Sequence, residues 1–290
     1  MQDFDYIKAR SIADASKALS DKSINTLILA GGTDLVDQMR RGVKIPDVLV
    51  DIKSIPELQL IQFEDDTLVL GGGAPLSTIY QRKSILSEFP GLETSLRLIG
   101  SIQIQNRATI AGNIGNAAPS ADLVPILVAL ESKATVASGQ TKRLIEIEKL
   151  ITNPGVIDIQ GGELIENVKI PVKTGRFTNS YIRFTPRAEM DIAVVGIGVS
   201  MGLNSDSTVS HCKIALGAVT PKPVRAIEAE NYILGKQLNS NSVKEASTLI
   251  NRSAEPITDI RASAEYRLDL LPVIGERAIK QCAVNFGISL

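Results

Sequence analysis

The chain has 290 residues, enough for two domains with separate cores or for one large one. Lysine plus arginine total 31 against 32 acidic residues, and aromatics are only 4% with no Trp, which argues against nucleic acid or an anionic membrane surface as a partner. Cys212 and Cys282 fit a reducing cytosol and, with His211 the single histidine, exclude a four-cysteine iron-sulfur site or a histidine-rich metal site made by this chain alone. The acidic amino end, Met1 to Tyr6, lacks an apolar segment, so neither a signal peptide nor membrane insertion is expected, and the cytoplasm is.

In chain order, residues 11 to 19 read as a short helix and Thr26 to Ala30 as a buried strand running into Gly31-Gly32. Thr33 and Asp34 stand where a helix begins, with Leu35, Val36 and Met39 on one face and Arg40-Arg41-Gly42 closing it. Strand, glycine turn and helix start together can bind phosphate through unpaired N–H groups and the helix dipole. A plain strand-to-helix turn is the alternative, and the G-x-G-x-x-G dinucleotide fingerprint is missing. Asp47 to Ile52 is the next strand, and Leu58 to Phe63 with Thr67 to Leu70 form a hairpin. Gly71-Gly72-Gly73 leads to Ser77, expected to cap a helix, and Phe89 to Ile99 is an amphipathic helix.

Thr109-Ile-Ala-Gly-Asn-Ile-Gly-Asn-Ala-Ala-Pro-Ser-Ala-Asp-Leu-Val-Pro125 follows, and reads as a polar loop before an apolar helix. Gly112 and Gly115 can take positive φ and admit a ligand to the main chain, with Asn113 and Asn116 adding side-chain donors. Ser120 is expected to cap the helix through Leu123, Ile126, Leu127 and Leu130, which puts Asp122 in its first turn. A capped helix after a polar turn is the competing reading. Two such loops suit a ligand with two phosphates better than either alone.

Lys133 to Ala137 gives another strand, Gly139 a turn, and residues 161 to 171 an alternating strand ended by Pro171. Phe177 to Phe184, Asp191 to Met201 and Thr208 to Val219 make a three-stranded antiparallel sheet, followed by helices near Val224 to Leu234, Ser242 to Arg252 and Ala262 to Val284. His211 and Cys212, adjacent on a strand, read as packing residues.

Ala30-Gly-Gly-Thr-Asp-Leu35 together with Thr109-Ile-Ala-Gly-Asn113 and Ser120-Ala-Asp122 resembles the FAD-binding medium subunit of the molybdenum hydroxylases, the family of xanthine dehydrogenase and CO dehydrogenase. Ala215 to Arg225 resembles the start of that family's carboxy-terminal domain, so the resemblance covers the whole chain. It implies an α+β fold: a two-part FAD-binding domain of the vanillyl-alcohol-oxidase/CO-dehydrogenase flavoprotein type over residues 1–175, with subdomains of about 1–55 and 56–175. A domain over 176–290 follows, a three-stranded antiparallel sheet with a helical bundle. Both loops would clasp the FAD pyrophosphate, which assigns Ile28, Leu29, Ala30, Gly31, Gly32, Thr33, Asp34 and Leu35, and Thr109, Ile110, Ala111, Gly112 and Asn113, to the cofactor. By the same resemblance Ile99 covers the flavin, Asp122 accepts from a cofactor hydroxyl, and Ile165 lies beside the flavin. Arg183 stands where the family carries a cation, often lysine, which would favour negative charge on phosphate or reduced flavin; an exposed strand charge is the alternative.

The function implied is electron transfer. A separate molybdopterin-binding large subunit oxidises substrate, a 2Fe-2S small subunit relays electrons, and the FAD here passes them to an acceptor such as NAD, quinone or dioxygen. No side chain is assigned as acid, base or nucleophile, and no metal site is expected. A stand-alone FAD-dependent oxidoreductase and a non-catalytic nucleotide-binding assembly module are the other readings.

Overall fold

The computed structural model describes residues 2–83, 87–139, 141–188 and 190–290, so Met1 of the acidic amino end lies outside it. The first layer contains β1 (Asp5–Lys8), α1 (Ile12–Leu19), β2 (Thr26–Leu29), α2 (Leu35–Arg40) and β3 (Val48–Asp51). Its strands pair in parallel in the order β1-β3-β2. Ser11 caps α1 by accepting from the Asp14 amide, and Ile12 and Ala15 turn inward to meet Val50 and Ile52. Strand β1 was not expected, because Asp5 to Lys8 is exposed throughout and shows no apolar alternation. Its pairing with β3 and the Tyr6 hydroxyl donating to Asp51 supply what the pattern lacks.

The second layer follows in order as β4 (Ile61–Glu64), β5 (Thr67–Gly71), α3 (Leu76–Tyr80), α4 (Pro90–Leu98), α5 (Ile102–Gln105), α6 (Ile110–Asn116) and α7 (Leu123–Ala129). It continues through β6 (Lys133–Ser138), β7 (Thr141–Glu146), α8 (Ile147–Leu150), the hairpin β8 (Ile151–Asn153) and β9 (Val156–Ile157), and β10 (Leu164–Pro171). The antiparallel sheet runs β4-β5-β10-β6-β7. Leu58 lies in a 3-10 turn, Pro56–Gln59, and the strand expected from that residue begins at Ile61. Ser77 sits inside α3 instead of capping it; Pro75 precedes the helix, and the Leu76 amide donates to the Ala108 carbonyl at 2.9 Å. Every residue of α7 is buried, since the helix lies between α4 and α6 on one side and the third layer on the other.

The third layer contains β11 (Arg176–Phe184), β12 (Val195–Leu203), β13 (Val209–Gly217), β14 (Val224–Arg225), α9 (Ile227–Ile233), α10 (Ser240–Leu249) and α11 (Ala264–Asn285). The expected antiparallel sheet is present as three long strands, and a two-residue β14 extends its edge, so the helix anticipated from Val224 starts at Ile227. Strand β12 is buried along its whole length and must therefore satisfy two faces. Val195, Ile197, Val199 and Met201 pack with α11 residues Leu271, Ile274 and Ala278. The opposite face is nearly bare: a Cβ on Gly198 would lie 2.7 Å from the Ile126 Cα, and one on Gly217 of the neighbouring β13 2.6 Å from Pro125 Cγ. A Cβ on Gly91 of α4 would lie 2.6 Å from the Ser180 backbone. Helices α4 and α7 therefore rest on the third sheet at backbone distance, and Tyr181 and Ala215 join the core of the second layer.

Candidate functional site

The turn between β2 and α2 carries two glycines for two reasons. Gly32 has φ +77°, a conformation that L side chains rarely adopt. Gly31 has no such φ, but a Cβ there would stand 2.2 Å from the Arg107 carbonyl oxygen and 2.9 Å from the Ala108 Cα. The first motif is thereby pressed against the residues that introduce the second. The amides of Gly31, Gly32, Thr33, Asp34 and Leu35 donate to no acceptor among the described residues, and the first helical bond runs from Val36 to the Gly32 carbonyl at 3.1 Å. Asp34 occupies the N-cap position without a side-chain cap bond. A run of free N–H groups at a helix start is an anion cradle.

The second motif is a helix where a loop was expected. Thr109 caps α6, its Oγ1 accepting from the Gly112 amide at 3.0 Å and its carbonyl from Asn113 at 3.0 Å. Gly112 and Gly115 are helical, without positive φ, so conformational freedom is not why they are there. A Cβ on Gly112 would lie 3.0 Å from Thr109 Oγ1 and 3.9 Å from the Ala30 Cβ, so its bare Cα faces the first motif. Gln38 Nε2 donates to Asn116 Oδ1 at 3.3 Å and ties α2 to α6. The Asn113 side-chain oxygen is buried with no partner among the described residues.

Asp122 does not behave as a capping residue, and Ser120 does not cap α7 either. Its Oδ1 accepts from the Tyr181 hydroxyl at 2.7 Å and its Oδ2 from Arg183 Nη1 at 2.7 Å, so both oxygens are turned away from the helix amides. The ionic side chains are 4% exposed for Arg183 and 10% for Asp122, which rules out the exposed strand charge as a description of Arg183. Burial lifts the Asp122 carboxyl above its ordinary range, against the opposing pull of Arg183 and the Tyr181 hydroxyl. Burial and then the Asp122 charge raise Tyr181 far above its usual value, so it remains a protonated donor. Arg183 Nη2 is buried with no partner among the described residues. A guanidinium with one amino group on a carboxylate and the other unmatched lacks one acceptor.

Ile165 is buried in β10 where the pairing with β6 shifts register, and its carbonyl would be 2.4 Å from a Cβ on Gly72. Gly72 in turn accepts from the Ala111 amide at 3.2 Å, which connects Ile165 to α6. Of the triple glycine, Gly72 is thus close-packed beneath α6, whereas Gly71 and Gly73 lie against Leu58 of the 3-10 turn. Ile99, at the C-cap of α4, is half-buried at the margin of the core with its carbonyl held by Gln105, and no direct hydrogen bond joins it to either motif among the described residues. Ile28 and Leu29 lie in β2, and Ala30 faces Gly112. Sequence reasoning missed Tyr181, Arg107 and Gly198, whose importance lies in contacts with residues distant along the chain.

The donor set fits a diphosphate with a polyhydroxylated arm: free amides at α2, a bare glycine surface at α6, an unmatched guanidinium and a buried carboxylate. Among the described residues no group of three His, Cys, Asp or Glu side chains could hold a metal ion, and no helix is long and apolar enough to cross a membrane.

Residues 2–173 match the family described as FAD binding domain in molybdopterin dehydrogenase, and residues 180–282 match the CO dehydrogenase flavoprotein C-terminal domain. The glyceraldehyde dehydrogenase medium chain of Sulfolobus acidocaldarius is 30% identical over 97% of this chain and 99% of its own. The xanthine dehydrogenase FAD-binding subunit of Escherichia coli O157:H7 is 28% identical over 97% of each chain. Among solved structures, a chain of carbon monoxide dehydrogenase from Hydrogenophaga pseudoflava superposes with a TM-score of 0.93 at 26% identity, covering 98% of both chains.

Proposed function

The chain belongs to the family of FAD-binding subunits of molybdenum hydroxylases, and from that membership we propose that it is the electron-transfer flavoprotein of a three-part complex, receiving electrons from a 2Fe-2S small subunit and delivering them to an external acceptor. Substrate oxidation then falls to a molybdopterin-binding large subunit. FAD supplies the chemistry of storing two electrons and releasing them; the chain supplies binding, orientation and charge.

The observation that carries this reading is the row of amides from Gly31 to Leu35 that have no acceptor among the described residues, held against the segment leading into α6 by the contact of Gly31 with Arg107. Ile28 to Leu35 and Thr109 to Asn113 would hold the pyrophosphate. Asp122 would accept from a hydroxyl of the cofactor, Ile99 and Ile165 would flank the ring system, and Arg183 Nη2 would gain its missing acceptor from the cofactor's anionic part. We assign the FAD-binding domain to residues 1–175 and the smaller domain to 176–290, a division supported by the family matches ending at 173 and resuming at 180. Relatives named as medium chains or FAD subunits support the partner assignment.

Anaerobic mixing tests the proposal. The isolated chain loaded with FAD should be bleached by a chemical reductant but not by the organic substrate of the complex. Addition of the molybdenum and iron-sulfur subunits should make substrate bleach the flavin. Rapid bleaching of the isolated chain by that substrate would instead identify a stand-alone oxidoreductase, and a purified complex whose chain carries no flavin would point to an assembly module.

A further inference from the structure

The carboxylate assigned to a cofactor hydroxyl is oriented entirely by residues outside its own layer. Asp122 precedes α7 in the second layer, whereas Tyr181 and Arg183 project from β11 of the third. The Tyr181 hydroxyl reaches Asp122 because of what is missing beneath it: a Cβ on Gly196, in β12, would stand 2.7 Å from that oxygen and 3.5 Å from the ring. Gly196 pairs directly with Arg183 in the β11–β12 register, so the bare position lies beside both partners of the carboxylate. Gly198 then lets α7 settle against β12 at backbone distance, which brings Asp122 within reach.

We propose that Tyr181 is a positioning residue for FAD, fixing the Asp122 carboxylate for the cofactor hydroxyl, and that Gly196 is the space reserved for its hydroxyl. The inference rests on the FAD reading above and extends it. FAD affinity depends on how the third layer is seated against the second, although neither Tyr181 nor Gly196 need touch the cofactor. Tyr181 is buried and protonated, and among the described residues its hydroxyl has one acceptor, Asp122 Oδ1. Without it, Oδ1 is free to swing, and the hydroxyl of FAD would meet a carboxylate held at one oxygen only.

Tyr181→Phe deletes the hydroxyl and little else. FAD titrated into the full-length protein should bind about tenfold more weakly to this variant, and Gly196→Ala, which pushes the hydroxyl aside, should weaken it similarly. In an Asp122→Ala background the same Tyr181→Phe change should alter FAD affinity less than twofold, because the group it positions is gone. Apoprotein unfolding measured in parallel separates positioning from structural support: a merely structural Tyr181 would lower thermal stability and leave FAD affinity untouched. Unchanged FAD affinity in Tyr181→Phe, or the same loss with and without Asp122, would overturn the inference while leaving the FAD reading intact. Failure of the unaltered protein to retain FAD, alone and in its complex, would remove both.

Discussion

Gly31 and Gly32 are neighbours whose substitutions fail differently. Alanine at Gly32 is forced into the left-handed region at a cost of roughly 1–2 kcal/mol, and its Cβ would also meet Leu29 Cδ1 at 2.8 Å. Alanine at Gly31 would overlap a carbonyl oxygen and pry the two motifs apart. Both variants should lose FAD, read as flavin content per folded protein, and full occupancy in both would remove the pyrophosphate assignment. Asp122→Ala is a harsher change than it looks from the sequence. It strands a buried Arg183, a loss of about 3–5 kcal/mol, so the apoprotein should melt lower as well as bind FAD more weakly, whereas Asp122→Asn keeps an acceptor.

His211 offers a pH test on the same scale. Burial pushes its pKa below 6.5, with Glu131 and Glu230 opposing and Lys173 and Lys213 adding to the effect, and its ring lies 5.5 Å from that of Phe177. The unfolded chain therefore binds a proton that the folded chain refuses, so this contribution is complete above the unfolded value of about 6.5 and is lost as pH falls below it. With a single histidine in the chain, urea unfolding between pH 8 and pH 5.5 should lose a distinct component of its pH dependence in His211→Gln.

At the scale of elements, α6 shows what tertiary contact adds to sequence. Gly112, Asn113, Gly115 and Asn116 are poor helix formers, and a loop is the reading their propensities support. The Thr109 cap, the Ala111 bond to Gly72 and the Gln38 bond to Asn116 make it a helix all the same. Long apolar stretches such as Leu123 to Ala129 and the alternation in β11 and β12 were legible because burial of one face or all faces leaves a period in the residues. β1 and β14 were not, since each is made by pairing alone. Asp122 and Arg183 could be singled out one by one, but nothing local joins residues so distant along the chain into a pair. Gly198 of β12 went unremarked because its partner is the backbone of α7. Gly198→Ala should lift that helix from the sheet, lowering stability by about 1–3 kcal/mol, measurable as a shifted denaturation midpoint.

For the whole molecule, both cysteines lie in the core shared by the third sheet and its helices. Burial drives Cys212 far above its ordinary value, and it lifts Cys282 to about 12 against the opposing effect of its bond to Ser180. A thiol reagent should modify neither in the native protein and both on unfolding, and modification of the native state would show that this layer opens on its own.

The bare face of β12 and β13 also governs recombination between relatives. A chimera that joins the first two layers of this protein to the third layer of another will seat at the native distance only if the donor sheet supplies glycine where Gly198 and Gly217 stand. A methyl group at either position would hold the second layer off the grafted sheet and weaken the assembly, whatever the match of charges around the seam. Compatibility between halves of such flavoproteins is therefore set by an absence of atoms, and shuffled libraries should be filtered on those positions first.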